Sequence, residues 1–339
     1  MYQPYKFKWN KIKHVQSFLN YIMIDVILKS PKLQEPTLSE NIVIPKYWTL
    51  IQGVNEDYLL NPLSELYVIC KQLDRGRIKL LKRAVLVNNR IKGLCEGQLS
   101  PVRYSDLDSA FAGNKTLEKV PGLIKAVCNN LYTECLGRKA FTDRYGKLKS
   151  HYDDIVVRDS RCRLCGFNNK LETKDSDYRD DFDHYLPKGI YPFVSVNFFN
   201  LVPTCSTCNQ KYKKTKDTIL YRGVRKKAFY PYSNDIYEIQ ISVSLNSPDI
   251  MSLSPEDINI SLKCEGHDEE VRNWDRVYGI KKRYKAYYCD NSCVGILDMI
   301  ISRRIDKNNM ISLMENAIDF ENYFLKLPMV KAAIEKLGI

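Results

Sequence analysis

The fold is decided by Cys162-Arg-Leu-Cys165-Gly166, Asp183-His184-Tyr185-Leu186-Pro187-Lys188 and Asn200-Leu201-Val202-Pro203-Thr-Cys205-Ser-Thr-Cys208-Asn209-Gln-Lys211. A CxxC pair lets two thiolates of one turn reach the same ion, and zinc takes four such ligands in tetrahedral geometry. Gly166 can adopt the positive φ that the first turn needs, and Pro203 punctuates the approach to the second pair. The two pairs predict one structural zinc site made of Cys162, Cys165, Cys205 and Cys208. It would staple a segment too small to build its own core. Such a site has no open coordination position, so chemistry has to come from other side chains.

Those side chains lie between and just behind the pairs. A neutral imidazole with an ordinary pKa near 6.5 suits a general base at physiological pH, which makes His184 the candidate. Asp183 offers a hard carboxylate oxygen and Asn209 a carbonyl oxygen, both suited to Mg²⁺, which binds few protein ligands and keeps several waters. Phosphodiester hydrolysis needs a deprotonated water and a cation to neutralise developing charge. Asn209 is equally an acceptable N-cap for a following helix. Neighbouring strand residues face opposite ways, so Asp183 and His184 require a strand end or a twisted exit, which Pro187 is placed to give. Behind Asn209 come Lys211, Lys213, Lys214 and Lys216, then Arg222, Arg225, Lys226 and Lys227, with Tyr212, Tyr221, Phe229, Tyr230 and Tyr232 interleaved. That cluster predicts a salt-sensitive phosphate-facing surface with rings for base or sugar contacts. Lys188 is the expected phosphate contact inside the site. Asp175, Asp177, Asp180 and Asp181 read as a solvated acidic loop.

Taken together, DH-x2-PK followed by NL-x-P-x-C-x2-CN-x-K resembles the HNH endonuclease family of the zinc-stapled ββα-metal type, with Asn at the third position. The resemblance covers roughly residues 155–216. It implies that His184 is the general base and that Asp183 and Asn209 hold a catalytic Mg²⁺ or Mn²⁺. It also implies that Asn200 fixes the loop through backbone hydrogen bonds and so aims the imidazole. DNA would be the substrate, cut one strand at a time. The wording DHYLPK is similar to that of nucleases from bacterial restriction and antiphage modules, which implies a cytoplasmic enzyme of defence against foreign DNA. Two alternatives stay open: a non-catalytic zinc-stabilised nucleic-acid-binding subunit, and an HNH nuclease acting on RNA.

Bulk properties agree with a polyanionic partner without specifying it. The 339 residues carry a net charge of +12, with 44% hydrophobic and 27% charged residues, and mean hydropathy is −0.36. A basic balance of this kind favours nucleic acid. Eleven cysteines, with no secretory signal expected, read as reduced thiols and metal ligands. Lys6, Lys8, Lys11 and Lys13 do precede an apolar stretch, but Gln16, Asn20 and Asp25 interrupt it. No run approaches the roughly 18 apolar residues of a membrane span, so no membrane partner is expected.

The expected fold is α+β: a ββα-metal core with its four-cysteine zinc site, flanked by mostly helical regions. Residues 1–150 read as a helical region for a protein partner, a homodimer or substrate positioning. Residues 151–232 read as the nuclease domain, and 233–339 as a β pair followed by helices. Within the first region the spacing predicts helices near 15–26, over 61–97 and over 123–148, a loop over 31–45, and a polar connection over 105–114. Strands are expected over 236–245 and 258–264, and Pro328 should start a short last helix.

Overall fold

Phe182–His184 (β1) and Leu201–Pro203 (β2) pair antiparallel, with Asp183 opposite Val202 and His184 opposite Leu201. They are joined by a buried loop rather than a tight turn. Tyr191, Phe193, Val194, Val196 and Phe198 are all at most 1% exposed. A buried loop has to satisfy its own backbone, and this one does so with successive turns. Ile190 and Tyr191 N–H donate to Pro187 O, Ser195 N–H to Pro192 O, and Asn200 N–H to Asn197 O. The chain then passes Cys205 and enters a wide π-type helix, Thr207–Lys213, which ends at Lys214 in the left-handed region (φ 51).

The computed structural model describes residues 1–156, 161–167, 181–302, 306–316 and 323–338. The fold is mixed: many helices with three small two-stranded antiparallel sheets among the described residues. Leu220–Tyr221 (β3) and Val224–Arg225 (β4) form a hairpin whose two turn residues, Arg222 and Gly223, both have positive φ, the geometry that matches strand twist. Gln240–Leu245 (β5) pairs with Ile258–Lys263 (β6). β6 alternates strictly, burying Ile258, Ile260 and Leu262, and helices Ile280–Tyr288 and Tyr323–Leu337 cover the pair.

Several expectations need correcting. The stretch 61–97 is three helices, Leu60–Cys70, Arg75–Asn88 and Ile91–Cys95, because Asp74 caps the second by accepting from Arg77 N–H. The polar connection over 105–114 is mostly helix, Tyr104–Phe111. Leu107 and Phe111 are buried one turn apart there, and Asp106 caps its start through Arg103 N–H. The stretch 123–148 breaks twice, between Cys135 and helix Lys139–Tyr145 and again at Gly146, whose φ is 88. Pro328 lies inside helix Tyr323–Leu337 instead of starting one. Asp175, Asp177 and Asp180 lie outside the described residues, while Asp181 is exposed.

Packing crosses both expected domain boundaries. Residues 1–7 run over the cysteine segment: Gln3 N–H donates to Arg163 O and Tyr5 N–H to Pro231 O, Tyr5 Oη donates to Pro203 O, and the Tyr2 ring stacks on Phe229 at 4.8 Å. From the other side, Trp274 Nε1 donates to Leu164 O at 2.6 Å and Tyr284 Oη to Cys165 O at 2.8 Å. The first cysteine turn is therefore clamped by both flanks.

His151 is 1% exposed and lies among Phe7, Phe182 and Phe198. Its Nδ1 accepts from Asn10 Nδ2 at 2.8 Å. Burial holds its pKa down to about 4. The folded chain refuses a proton that the unfolded chain takes up at about 6.5, so this contribution is whole above pH 6.5 and is lost as pH falls towards 4. The shift corresponds to at most about 3 kcal/mol. The urea midpoint of the wild type should drop more steeply between pH 6.5 and 4 than that of His151→Phe. Parallel slopes would show that His151 does not carry the acid sensitivity.

Candidate functional site

Cys162, Cys165, Cys205 and Cys208 are all buried, and their sulfurs lie within 4.8 Å of one another. Tetrahedral Zn–S bonds of about 2.3 Å place sulfurs a little under 4 Å apart, and Cys162 Sγ stands 4.0 Å from Cys208 Sγ. The set fits a structural zinc ion. Gly166 takes φ +75 as the first turn closes, and a Cβ there would fall 2.6 Å from Met1 N. Arg283, 8% exposed, donates from Nη1 to Cys208 Sγ at 3.1 Å. Its guanidinium sits 5.0 Å from the rings of both Phe167 and Tyr212. Four thiolates around one Zn²⁺ carry net negative charge, and a stacked guanidinium offsets it in low dielectric. Hydrogen bonds from the other three thiols, Cys162 first, hold Cys205 well below the ordinary thiol range.

Asp183 and His184 are the last two residues of β1, and their side chains take different partners. His184 is half-buried, with Nε2 at 2.9 Å from Ser195 O. A carbonyl only accepts, so Nε2 carries the proton and Nδ1 keeps the lone pair. The Tyr132 ring meets the imidazole edge to face at 4.5 Å. Burial, with smaller repulsion from Lys188 and Lys213, lowers the His184 pKa to about 3, so the ring is neutral at physiological pH. Asp183 is 4% exposed. Lys213 Nζ donates to Asp183 Oδ1 and to His184 O, both at 2.8 Å, while Oδ2 is buried without a hydrogen-bond partner among the described residues. Burial pushes this carboxyl up and the Lys213 ammonium pulls it partly back.

Asn200 is wholly buried. Its Oδ1 accepts from Leu186 N–H at 2.8 Å, and its Nδ2 donates to Leu186 O at 3.0 Å and Val194 O at 3.5 Å. It thus ties the residues after His184 to the turn that supplies Ser195 O. Asn209 is half-buried in the π-type helix, where its carbonyl accepts from Lys214 N–H.

The lysine cluster is divided. Lys211 and Lys214 are exposed, as expected of a phosphate-facing surface. Lys213 is not part of that surface: its side chain is 1% exposed and paired with Asp183. Lys216 donates to the last carbonyls of helix Asp268–Tyr278, at Arg276 and Val277, and Arg225 spends its guanidinium on Ile219, Leu94 and Leu99 carbonyls. Phe229, Tyr230 and Tyr232 are core residues rather than base-stacking rings. Lys188 follows His184 by four residues, and its ammonium is engaged by Asn129 Oδ1 at 2.8 Å and lies 4.8 Å from the Tyr132 ring.

Sequence reasoning missed Tyr132, Asn129, Ser195 and Arg283. Ser195 acts through its carbonyl, which any residue has. Tyr132 and Asn129 belong to the helical run 119–135, whose apolar periodicity explains them as ordinary helix. Arg283 lies in a helix far along the chain, and nothing nearby points to a thiolate.

Purified protein should carry one equivalent of zinc per chain. Cys205→Ser should lose it together with cooperative unfolding, since structural zinc is worth on the order of 10 kcal/mol to small modules; metal analysis and thermal melts decide this. Asn200→Ala should cost about 3 kcal/mol, because it orphans buried backbone groups. A loss under about 1 kcal/mol in denaturant titration would mean that the loop holds without it.

No protein-family profile and no solved structure matches the chain. Part of it is similar to protein ea31 of Escherichia phage lambda, at 33% identity over 147 residues. That segment covers 43% of this chain and 43% of the phage protein, so the match spans under half of either.

Proposed function

We propose that this chain is a divalent-metal-dependent endonuclease of the HNH type that hydrolyses DNA phosphodiester bonds, and that it serves in bacterial defence against foreign DNA. The observation that carries the reading is the state of His184. Its Nε2–H is committed to Ser195 O, so the basic nitrogen, Nδ1, is defined and unprotonated, one residue along the strand from a buried carboxylate. An attacking water would give its proton to Nδ1 as its oxygen bonds to phosphorus. The P–O bond to the leaving sugar oxygen breaks, and that oxygen takes up a proton from solvent. An imidazole with a pKa near 3 is a weak base, and the negative charge of an arriving phosphate raises it towards the useful range.

The donor set fits a hard cation. Asp183 Oδ2 is a buried carboxylate oxygen without a hydrogen-bond partner among the described residues, and Asn209 has an amide oxygen on the helix whose Lys213 reaches that same carboxylate. Mg²⁺ or Mn²⁺ held by Asp183 and Asn209 would supply neutralisation of charge on the phosphate oxygens. Asn200 keeps the loop that orients the imidazole, and exposed Lys211 and Lys214 would meet flanking phosphates. DNA in preference to RNA, and the defence setting, rest on the resemblance of residues 155–216 to HNH nucleases.

One observation favours a second reading. The Lys213–Asp183 ion pair already neutralises the carboxylate, as would suit a non-catalytic zinc-stabilised binding module. Supercoiled plasmid with Mg²⁺ or Mn²⁺ separates the two. The wild type should nick, and a zinc-loaded, folded His184→Ala should lose at least about a hundredfold in rate. Equal cleavage by both removes His184 from the mechanism, and DNA binding without cleavage by either supports the binding module.

A further inference from the structure

We infer that Lys213 is a resident cation at the Asp183 carboxylate, which keeps this site's affinity for a divalent ion low until a phosphate joins it. The inference rests on the nuclease reading and adds a condition to it: metal and substrate load together.

The geometry is specific. Lys213 comes from the cluster in which Lys211 and Lys214 point to solvent, yet its own side chain is 1% exposed. Its ammonium touches two oxygens that belong to the catalytic strand, Asp183 Oδ1 and His184 O, each at 2.8 Å. The other carboxylate oxygen, Oδ2, is buried and has no hydrogen-bond partner among the described residues. The carboxylate therefore has one oxygen claimed by a cation of the chain itself and one that is buried and unclaimed among the described residues.

The charge balance sets the order of events. Asp183 and Lys213 cancel, His184 is neutral, and Lys188 has its ammonium on Asn129. A divalent ion entering alone would leave about two uncompensated positive charges in a water-poor setting, which is costly. A phosphodiester brings one negative charge, and its pentacovalent state brings another. Ion and phosphate then stabilise each other, and by linkage the effect is reciprocal. A charge within hydrogen-bond distance changes a carboxylate's affinity for a proton by roughly one to three orders of magnitude. A divalent ion should feel Lys213 at least as strongly as the lower end of that range.

Mn²⁺ binding, read by titration calorimetry and by the loss of the free-ion electron paramagnetic resonance signal, tests this on the zinc-loaded full chain. Without DNA, Lys213→Met should bind Mn²⁺ at least about tenfold more tightly than the wild type, and adding Asp183→Asn to it should abolish that gain. In the wild type, a short non-hydrolysable phosphorothioate duplex should tighten Mn²⁺ binding by at least about tenfold. The inference is overturned if Lys213→Met, folded by circular dichroism and zinc content, binds Mn²⁺ no more tightly than the wild type. Lys213→Gln serves if the methionine variant does not load zinc. It is equally overturned if the duplex leaves wild-type Mn²⁺ affinity unchanged, a measurement that needs no variant. Plasmid nicking separates the two levels: cleavage with no effect of Lys213 or duplex on Mn²⁺ sinks this inference alone, whereas neither cleavage nor Mn²⁺ binding sinks both.

Discussion

Everything at the candidate site depends on four thiols being held within 4.8 Å of one another. β1 and β2 are three residues each, far too short to be stable as an isolated pair. Their position is fixed because β2 runs directly into Cys205 and Cys208, which are tied back to Cys162 and Cys165. The π-type helix that carries Asn209 and Lys213 begins on the second cysteine pair. The cysteine cluster therefore sets the angle between strand and helix, and that angle lets the Lys213 ammonium reach the Asp183 carboxylate. Arg283, donating to Cys208, extends the same constraint to the helices after residue 268.

Burial has two electrostatic results here. It keeps His184 and His151 neutral, and it forces Asp183 into partnership with a cation of the same chain. Both arise because the site is enclosed by elements distant in sequence: Tyr132 and Lys188 against the imidazole, and the buried loop 185–200 beneath it. The first 156 residues thus supply a wall of the site. No helix among the described residues is long and apolar enough to cross a membrane.

How much was legible follows from what each feature depends on. The four clustered cysteines were readable because zinc chemistry dictates residue type and spacing together, and the backbone ties of Asn200 were readable from its place before the second strand. The strand pairs over 236–245 and 258–264 were readable because β6 alternates by twos. The helix Tyr104–Phe111 was not, since its only apolar pair, Leu107 and Phe111, sits among polar residues and its start is set by a cap. Lys213 looked like every other lysine in its cluster; only the tertiary path of its helix distinguishes the one that turns inward. Ser195 could not be found at all, because its contribution is a backbone oxygen.

The clamp on the first cysteine turn has a consequence for biosynthesis. Leu164 waits for Trp274, 110 residues later, and Cys165 for Tyr284, 119 residues later. At roughly 5–20 residues per second, the ribosome takes on the order of ten seconds to deliver them. The strand, the imidazole and the helix are all made within that interval, by residue 213, and wait on an open scaffold for the rest of it. The clamp closes only once residues 274–284 have been made, so a nascent chain that stops before Trp274 carries every candidate site residue without the contacts that hold the first cysteine turn.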